Sequence, residues 1–461
     1  MAPMRRLAWF TPFPPVRSGI SDYSAEVLPL VSDHARIDVF VDERAVPTAP
    51  ASIVADGAHP VRIRPAHEFV WRQFRHPYDL AVYQMGNAAC HDFMWPFLVR
   101  YPGLVVLHDG QLHQARARLL FDHSRFDEYR AEFRFAHPAT PPELPDMFMT
   151  SYGGTLFYIW PMVGTVVRTA RLVAVHSAHL ARSLRADFPS AVVETIRMGV
   201  ADRPATVPAR EIRARHGLPP DALVLTAFGN VTPEKRIASV LRAVVPLARQ
   251  MPGLRLLLVG DTVDYYDVGA QAAALGLGGR TVVTGFVDDA ELGSYLEASD
   301  VCLCLRWPSG RETSASWLRC LAAARPTIIT DLAHMDDVPA YDPRSWTVLE
   351  PYAGDERPEG TAVSGPCCVT IDLLDEVHSL TIALRRLLTD SRLRDSLGRA
   401  ARRWWEQHHT LECMADDYRR VTARAIEIPA VHPGDLPAHL VADGLGLARS
   451  LTATFGINLR L

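Results

Sequence analysis

Short apolar runs punctuate the chain, spaced to leave room for helices between them. In the first half they are Leu7–Phe10, Ile37–Val41, Leu80–Tyr83, Leu104–Leu107 and Leu172–Val175. In the second they are Leu223–Thr226, Leu254–Val259, Thr281–Val283, Val301–Leu305 and Thr327–Ile329. Near-continuous apolar runs of this length suit strands buried on both faces of a parallel sheet. Their alternation with helical patterns predicts βαβ units, and so an α/β protein built on doubly wound sheets. The series starts afresh at Leu223, after the Pro-rich, aperiodic stretch Val200–Pro208. This predicts a linker there between two similar domains, 1–204 and 205–404, with no sequence repeat between them. Residues 115–165 interrupt the first series with a helical segment, Phe126–Phe135, and a Pro-rich turn, Pro138–Pro145. An insertion of that length reads as a lid or partner surface. A charged helical region follows at 392–427, and the tail beyond Pro429 is expected to lie on the outside.

Composition narrows the classes. The 461 residues are 48% hydrophobic and 22% charged, a globular balance that excludes global disorder. Lys and Arg number 48 against 52 Asp and Glu, so no basic excess points to a nucleic-acid partner. The apolar stretch Gly154–Val167 is too short to span a bilayer. Two arginines precede the first apolar patch in the manner of a signal peptide, but Pro12, Pro14 and Pro15 interrupt it. Seven cysteines without metal-ligand spacing fit a reduced, cytoplasmic chain. No H-E-x-x-H, C-x-x-C, P-loop or G-x-G-x-x-G is present, which argues against metal hydrolysis, Walker-type phosphoryl transfer and a dinucleotide dehydrogenase.

Ligands of open α/β sheets bind beyond the carboxyl ends of strands, where strand order reverses. After the first run comes Pro14–Tyr23. There Pro stops the strand, Gly19 admits close backbone approach and Ser21 is placed to cap the next helix. Its N–H groups suit an anion or a sugar oxygen; an ordinary strand-to-helix loop is the other reading. Gly229–Arg236 sets Lys235 and Arg236 beside a strand end and a helix start. Cations there oppose the helix dipole, which favours compensation of a diphosphate over a merely solvated start.

The stretch Leu305–Pro326 predicts a strand end, a Pro-Gly loop and a helix beginning near Thr313. Thr313 and Ser314 offer hydroxyls and free N–H groups to phosphate, while Glu312 either caps the helix or grips sugar hydroxyls. His108-Asp109 closes a strand, where an imidazole donates to a substrate hydroxyl or carries a proton, unless it is a buried structural histidine. Gly86–His91 and His176-Ser177 close further strands, and His408-His409 is expected at the surface.

Together these segments resemble retaining nucleotide-sugar glycosyltransferases of the GT-B type, family four. The resemblance spans about residues 5–425 and is carried by Pro15–Tyr23, Tyr83–Asn87, Pro102–Asp109, Gly229–Arg236, Gly285–Val287 and Glu312–Pro326. The Arg311-Glu312-Thr313-Ser314 motif resembles a subgroup of that family. The resemblance implies two Rossmann-like domains facing an interdomain cleft. A last helix within 405–461 would return to the first domain. It also implies transfer of a hexose from a nucleoside diphosphate, with UDP or GDP favoured, to a saccharide, lipid-linked or small-molecule hydroxyl, without a metal. By position, Lys235 binds the donor diphosphate, Thr313 and Ser314 take phosphate oxygens, and Gly285, Phe286 and Val287 meet the base. Gly19 lies beside the diphosphate or the acceptor, His108 contacts the transferred sugar and Glu312 holds its hydroxyls. Ser18, Asp22, Asn87 and Asp109 belong to the acceptor side. The family's second glutamate is missing: Arg319 or Cys320 stands there, according to the alignment. The usual diphosphate arginine is also absent near Asn230, with Arg236 or Arg306 as substitutes. A sugar-nucleotide epimerase and a degenerate, non-catalytic partner are the alternatives; the aromatic and basic residues of the 115–165 insertion fit contact with a membrane periphery or a partner, or equally core packing.

Overall fold

The computed structural model describes residues 4–45, 52–53, 59–150, 153–310, 312–330, 338–349, 365–442 and 444–457. Arg311 of the expected motif lies outside them. The chain forms two compact units: residues 1–175, 181–194 and 418–461 make the first, and 176–180 with 195–417 make the second.

Strands of the first unit are β1 (Arg5–Phe10), β2 (Ala35–Val41), β3 (Ser52–Ile53), β4 (Val61–Pro65), β5 (Leu80–Met85), β6 (Leu104–Leu107), β7 (Leu172–Val175) and β8 (Val193–Thr195). They lie in the order β3-β4-β2-β1-β5-β6-β7-β8. The paired registers are parallel except between β3 and β4. The chain winds outward from β1 through β2 to β4, then returns to the other side of β1 with β5. Order therefore reverses between β1 and β5. Burial on both faces explains the runs: Leu7, Ala8, Trp9 and Phe10 are fully enclosed. Phe10 stacks between Phe40, at 5.2 Å, and Tyr83, at 4.8 Å.

Strands of the second unit are β9 (Leu223–Phe228), β10 (Leu254–Val259), β11 (Thr281–Val283), β12 (Val301–Cys304), β13 (Thr327–Thr330), β14 (Ala340–Tyr341), β15 (Val348–Leu349) and β16 (Cys368–Ile371). Their order is β11-β10-β9-β12-β13-β16-β14-β15, with only the β14–β15 pair antiparallel. Here order reverses between β9 and β12. All ten apolar runs are strands. The expected α/β class is what the chain adopts, as two Rossmann-like sheets.

Four expectations change. The stretch 200–208 is no free linker: the N–H groups of Thr206 and Val207 donate to Ser294 Oγ at 3.0 and 2.9 Å, within the second unit. The helical region 392–427 is two helices, Ser391–His408 and Leu411–Glu427. His409, which caps the first of these, is partly buried rather than at the surface, with Nδ1 2.9 Å from the Met198 carbonyl oxygen, and burial pushes its pKa down to about 4. Ser21 is buried inside the helix Gly19–Val31, whose cap is Ser18: its Oγ accepts from the Ile20 N–H at 3.3 Å. The insertion forms helices His113–Asp122, Phe126–Ala136 and Leu144–Met149 around their own aromatic core of Tyr129, Phe133 and Phe148.

Candidate active site

In the second unit the order reversal places the loops after β9 and β12 side by side. The Trp307 N–H donates to the Glu234 carbonyl at 2.9 Å and joins them. After β9, Gly229 takes a positive φ of 87°, and a single 3-10 turn, Pro233–Lys235, precedes Arg236 in the left-handed region at φ 60°. These two turns decide where the cations go. Lys235 folds back and donates from Nζ to the carbonyl of Phe228, the last residue of β9. Arg236 points elsewhere: Nε and Nη2 reach the two oxygens of Glu376 at 2.7 and 2.6 Å. The expected pair of diphosphate cations is thus divided, with Arg236 committed to a near-buried carboxylate on a neighbouring helix.

Lys235 shares a small cavity with Arg306, Ser309, Glu312, Ser314 and Ser316. Arg306 pairs with Glu312, and Ser309 Oγ donates to Glu312 Oε2 at 3.1 Å. Burial first, then the neighbouring Arg306 charge, lowers the Lys235 pKa from 10.5 to about 8. The helix starts later than expected, at Ala315, and runs to Ala322. Its N-cap is Ser314, whose Oγ accepts from the Trp317 N–H at 3.3 Å. Glu312 is therefore not the cap, and its carboxylate faces the cavity with Arg306. Thr313 is drawn aside, its hydroxyl donating to the His176 carbonyl at 3.2 Å.

A second cavity of about 180 Å³ adjoins the first, sharing Phe228 and Ser316. Gly229, Asp261, Phe286, Val287 and Arg319 also line it. Gly260 permits the crossing of backbones here: a Cβ on it would lie 2.5 Å from the Gly229 carbonyl oxygen. Gly285 sits at φ 72°, and the Phe286 N–H donates to Asp261 Oδ1 at 2.8 Å. Phe286 is 58% exposed. Arg319 donates to Asp289 Oδ1 at 2.9 Å, and Arg203 pairs with the same carboxylate.

The first unit's strand-end residues form a separate cluster. His108 follows β6, with Nε2 2.8 Å from Gln84 Oε1 and its ring edge-on to Tyr23 at 4.6 Å. Gln84 Nε2 donates to the Tyr418 hydroxyl at 3.0 Å, which is 2.8 Å from the Tyr23 hydroxyl. The Asn87 N–H donates to Asp109 Oδ2 at 2.9 Å, while Asn87 Oδ1 accepts from the Ala115 N–H at 2.9 Å. Ser18, Gly19 and Asp22 lie at the start of the helix after β1, and nothing stands within 4 Å of a Cβ built on Gly19.

Several neighbours went unread in the sequence: Gln84, Tyr418, Asp261, Asp289, Ser316 and Glu376. Asp261 had a signal, since Gly260-Asp261 follows a strand directly. Ser316 lies one residue inside the helix that Ser314 caps, whereas Tyr418, Asp289 and Glu376 are joined to their clusters only through pairing and packing across long stretches of chain.

Residues 222–347, which hold β9 to β14 and both loops, match the model of the family described as glycosyl transferases group 1. The matched stretch lies wholly within the second unit. A D-inositol 3-phosphate glycosyltransferase from a Nocardioides strain is 32% identical over 47% of this chain and 45% of its own. The chain spans less than half the length of the curated relatives it matches. Sucrose-phosphate synthase from Thermosynechococcus elongatus superposes with TM-score 0.60 at 16% identity, over 91% of this chain and 100% of that one. The Anabaena HepE protein, solved with UDP-glucose, does so with TM-score 0.59 at 14% identity, over 91% and 99%. The two Rossmann-like sheets are thus those of GT-B structures.

Proposed function

We propose that the protein is a retaining glycosyltransferase that moves a sugar from a nucleoside diphosphate to an acceptor hydroxyl, with no metal required. The observation that carries this reading is the convergence of Lys235, Arg306, Glu312 and Ser314 on one cavity at the strand-order reversal of the second unit. The donor diphosphate enters beside Lys235 and the start of helix Ala315–Ala322, where N–H groups and a cation face it. Phe286 and Val287 border the adjoining cavity, which takes the base, and the Gly285-Phe286 backbone supplies its polar contacts. The bond from the anomeric carbon to the diphosphate oxygen breaks, and its electron pair leaves on the diphosphate. Lys235 and the helix-start N–H groups stabilise that charge where it develops. The acceptor oxygen bonds to the anomeric carbon on the face the leaving group vacates, and its proton passes to the departing phosphate oxygen. Paired glycosidase carboxylates are then unnecessary, and Glu312 holds sugar hydroxyls. The acceptor is taken by the first unit's strand-end loops with Ser18, Asp22, Asn87 and Asp109. Support for UDP comes from the likeness to a protein solved with UDP-glucose.

A thermal-shift screen across UDP-, GDP-, ADP- and dTDP-sugars tests the class, because a ligand of the native state raises the melting temperature by mass action. Selective stabilisation by one nucleotide, with sugar transfer or slow donor hydrolysis unaffected by EDTA, is expected; no shift with any of them would remove the reading. Lys235→Ala is expected to lower turnover by about 100–1,000-fold with the fold intact.

A further inference from the structure

The edge of the first sheet opposite the strand-end loops has a separate character. The amino-terminal ends of β1, β2 and β4, with the residues before β5, enclose a cavity of about 590 Å³. Arg6, Arg36, Arg62, His59, His76 and Asp38 line it. Parallel pairing brings these charges together: Arg6 lies opposite Arg36, and Asp38 opposite Arg62. Asp38 does not balance them, because it already accepts from Arg64 Nε at 2.8 Å and the Tyr78 hydroxyl at 2.6 Å. Arg36 and Arg62 are exposed and make no hydrogen bond or ion pair among the described residues. Like charges gathered in a concave rim repel one another and concentrate anions.

Helix Glu68–Arg75 runs into the same rim, since His76 follows it directly. It buries Phe69 against the sheet and shows its opposite face to water. That face carries Val70 at 48% exposure, Trp71 at 59% and Phe74 at 80%. The Trp71 and Phe74 rings lie 6.3 Å apart at 25°, and the Arg75 guanidinium sits 4.4 Å over Trp71. A soluble phosphate compound would answer the arginines and leave three large apolar side chains in water. A bilayer answers both, with aromatic rings at headgroup level and arginines on phosphate.

We propose that this edge docks on an anionic lipid bilayer. A phosphate headgroup sits among Arg6, Arg36 and Arg62, while Val70, Trp71 and Phe74 enter the boundary between headgroups and acyl chains. The loops bearing Gly19, Asn87 and His108 leave the opposite ends of the same strands, so the bilayer anchors the unit away from them.

Flotation of the full chain with vesicles of phosphatidylcholine, alone or mixed with phosphatidylglycerol, tests this. Binding is expected to the mixed vesicles, weakening with salt. The double variant Arg36→Ala/Arg62→Ala should partition about 10–30-fold less to them, at roughly 1 kcal/mol per arginine near an anionic surface. Trp71→Ala/Phe74→Ala should lose the binding that survives high salt. Unchanged melting temperature and UDP response in both variants will show that the fold and the nucleotide site are intact. Absence of binding to mixed vesicles, equal binding to both compositions, or variants that bind like the parent chain would overturn the proposal. So would tight calorimetric binding of glycerol phosphate without vesicle binding, which would assign the cavity to a soluble phosphate ester.

Discussion

Lys235 is the residue on which the diphosphate reading is most exposed to measurement. Its folded pKa, lowered to about 8, leaves the ammonium largely charged at pH 7 and largely neutral by pH 9. A diphosphate binds best to the charged form. Affinity for UDP is therefore expected to be level below about pH 8 and to fall about tenfold per pH unit above it, approaching the affinity of Lys235→Ala. Calorimetry from pH 7 to 9.5 on both proteins reads this directly; parallel profiles would take Lys235 out of the site. The stability sign is the reverse of an attractive pair. Between the folded value of about 8 and the ordinary 10.5 the unfolded chain holds the extra proton, so this group's unfavourable contribution shrinks as pH rises through that window. Arg236 illustrates what neighbours in sequence conceal. It carries the same charge one position later, yet the left-handed turn sends it to Glu376. Arg236→Ala should accordingly cost about 3 kcal/mol or more by stranding a near-buried carboxylate, with its main effect on melting temperature.

At the scale of elements, helix Ala315–Ala322 allows capping and phosphate contact to be separated. Ser314→Ala removes the bond to the Trp317 N–H and should lower stability by about 1 kcal/mol. Ser314→Asp keeps a good cap, so it should recover that stability while repelling the diphosphate. Recovery of both stability and UDP affinity would leave Ser314 a cap only. The crossing of the loops after β9 and β10 makes a second expectation. Gly260 has φ 146° and no room for a Cβ beside the Gly229 carbonyl. Gly260→Ala should cost about 1–3 kcal/mol and weaken UDP binding through the displaced Gly229 turn. These elements were legible to different depths. Buried strands announce themselves because both faces are apolar, whereas β3, β14 and β15, at the margins of the sheets, are only two residues long and leave no period to read. The sequence predicts a helix beginning near Thr313 with Glu312 as a possible cap; the helix begins at Ala315 because Ser314 caps it, while Thr313 is held by the His176 carbonyl.

For the molecule as a whole, the chain's route matters more than its order. Proline content suggested a boundary at 200–208, but contact decides it: that stretch is held by Ser294 and belongs to the second unit. The true return is inside helix Leu411–Glu427, where Asp417 ends the second unit and Tyr418 begins the last part of the first. No periodicity marks that point, since the helix continues through it. The chemistry does. Asp417 accepts from Arg197 Nε at 2.7 Å, while Tyr418 is fully buried against Trp9 at 5.1 Å and bonds Gln84. Arg420 reaches Glu194 at 3.0 Å, within the first unit again. A chain ended after Asp417 therefore keeps every residue of the candidate diphosphate cavity but leaves the first unit without Tyr418. It exposes Trp9, and it strips Gln84 Nε2 of its acceptor. Such a chain should still be stabilised by UDP, while protease cleavage within residues 1–175 accelerates. Tyr418→Phe, which keeps the ring and removes only the hydroxyl, should cost about 1–2 kcal/mol. It should leave UDP affinity unchanged. Loss of UDP binding in the shortened chain, with its second unit still resistant to protease, would show that the nucleotide depends on more than that unit.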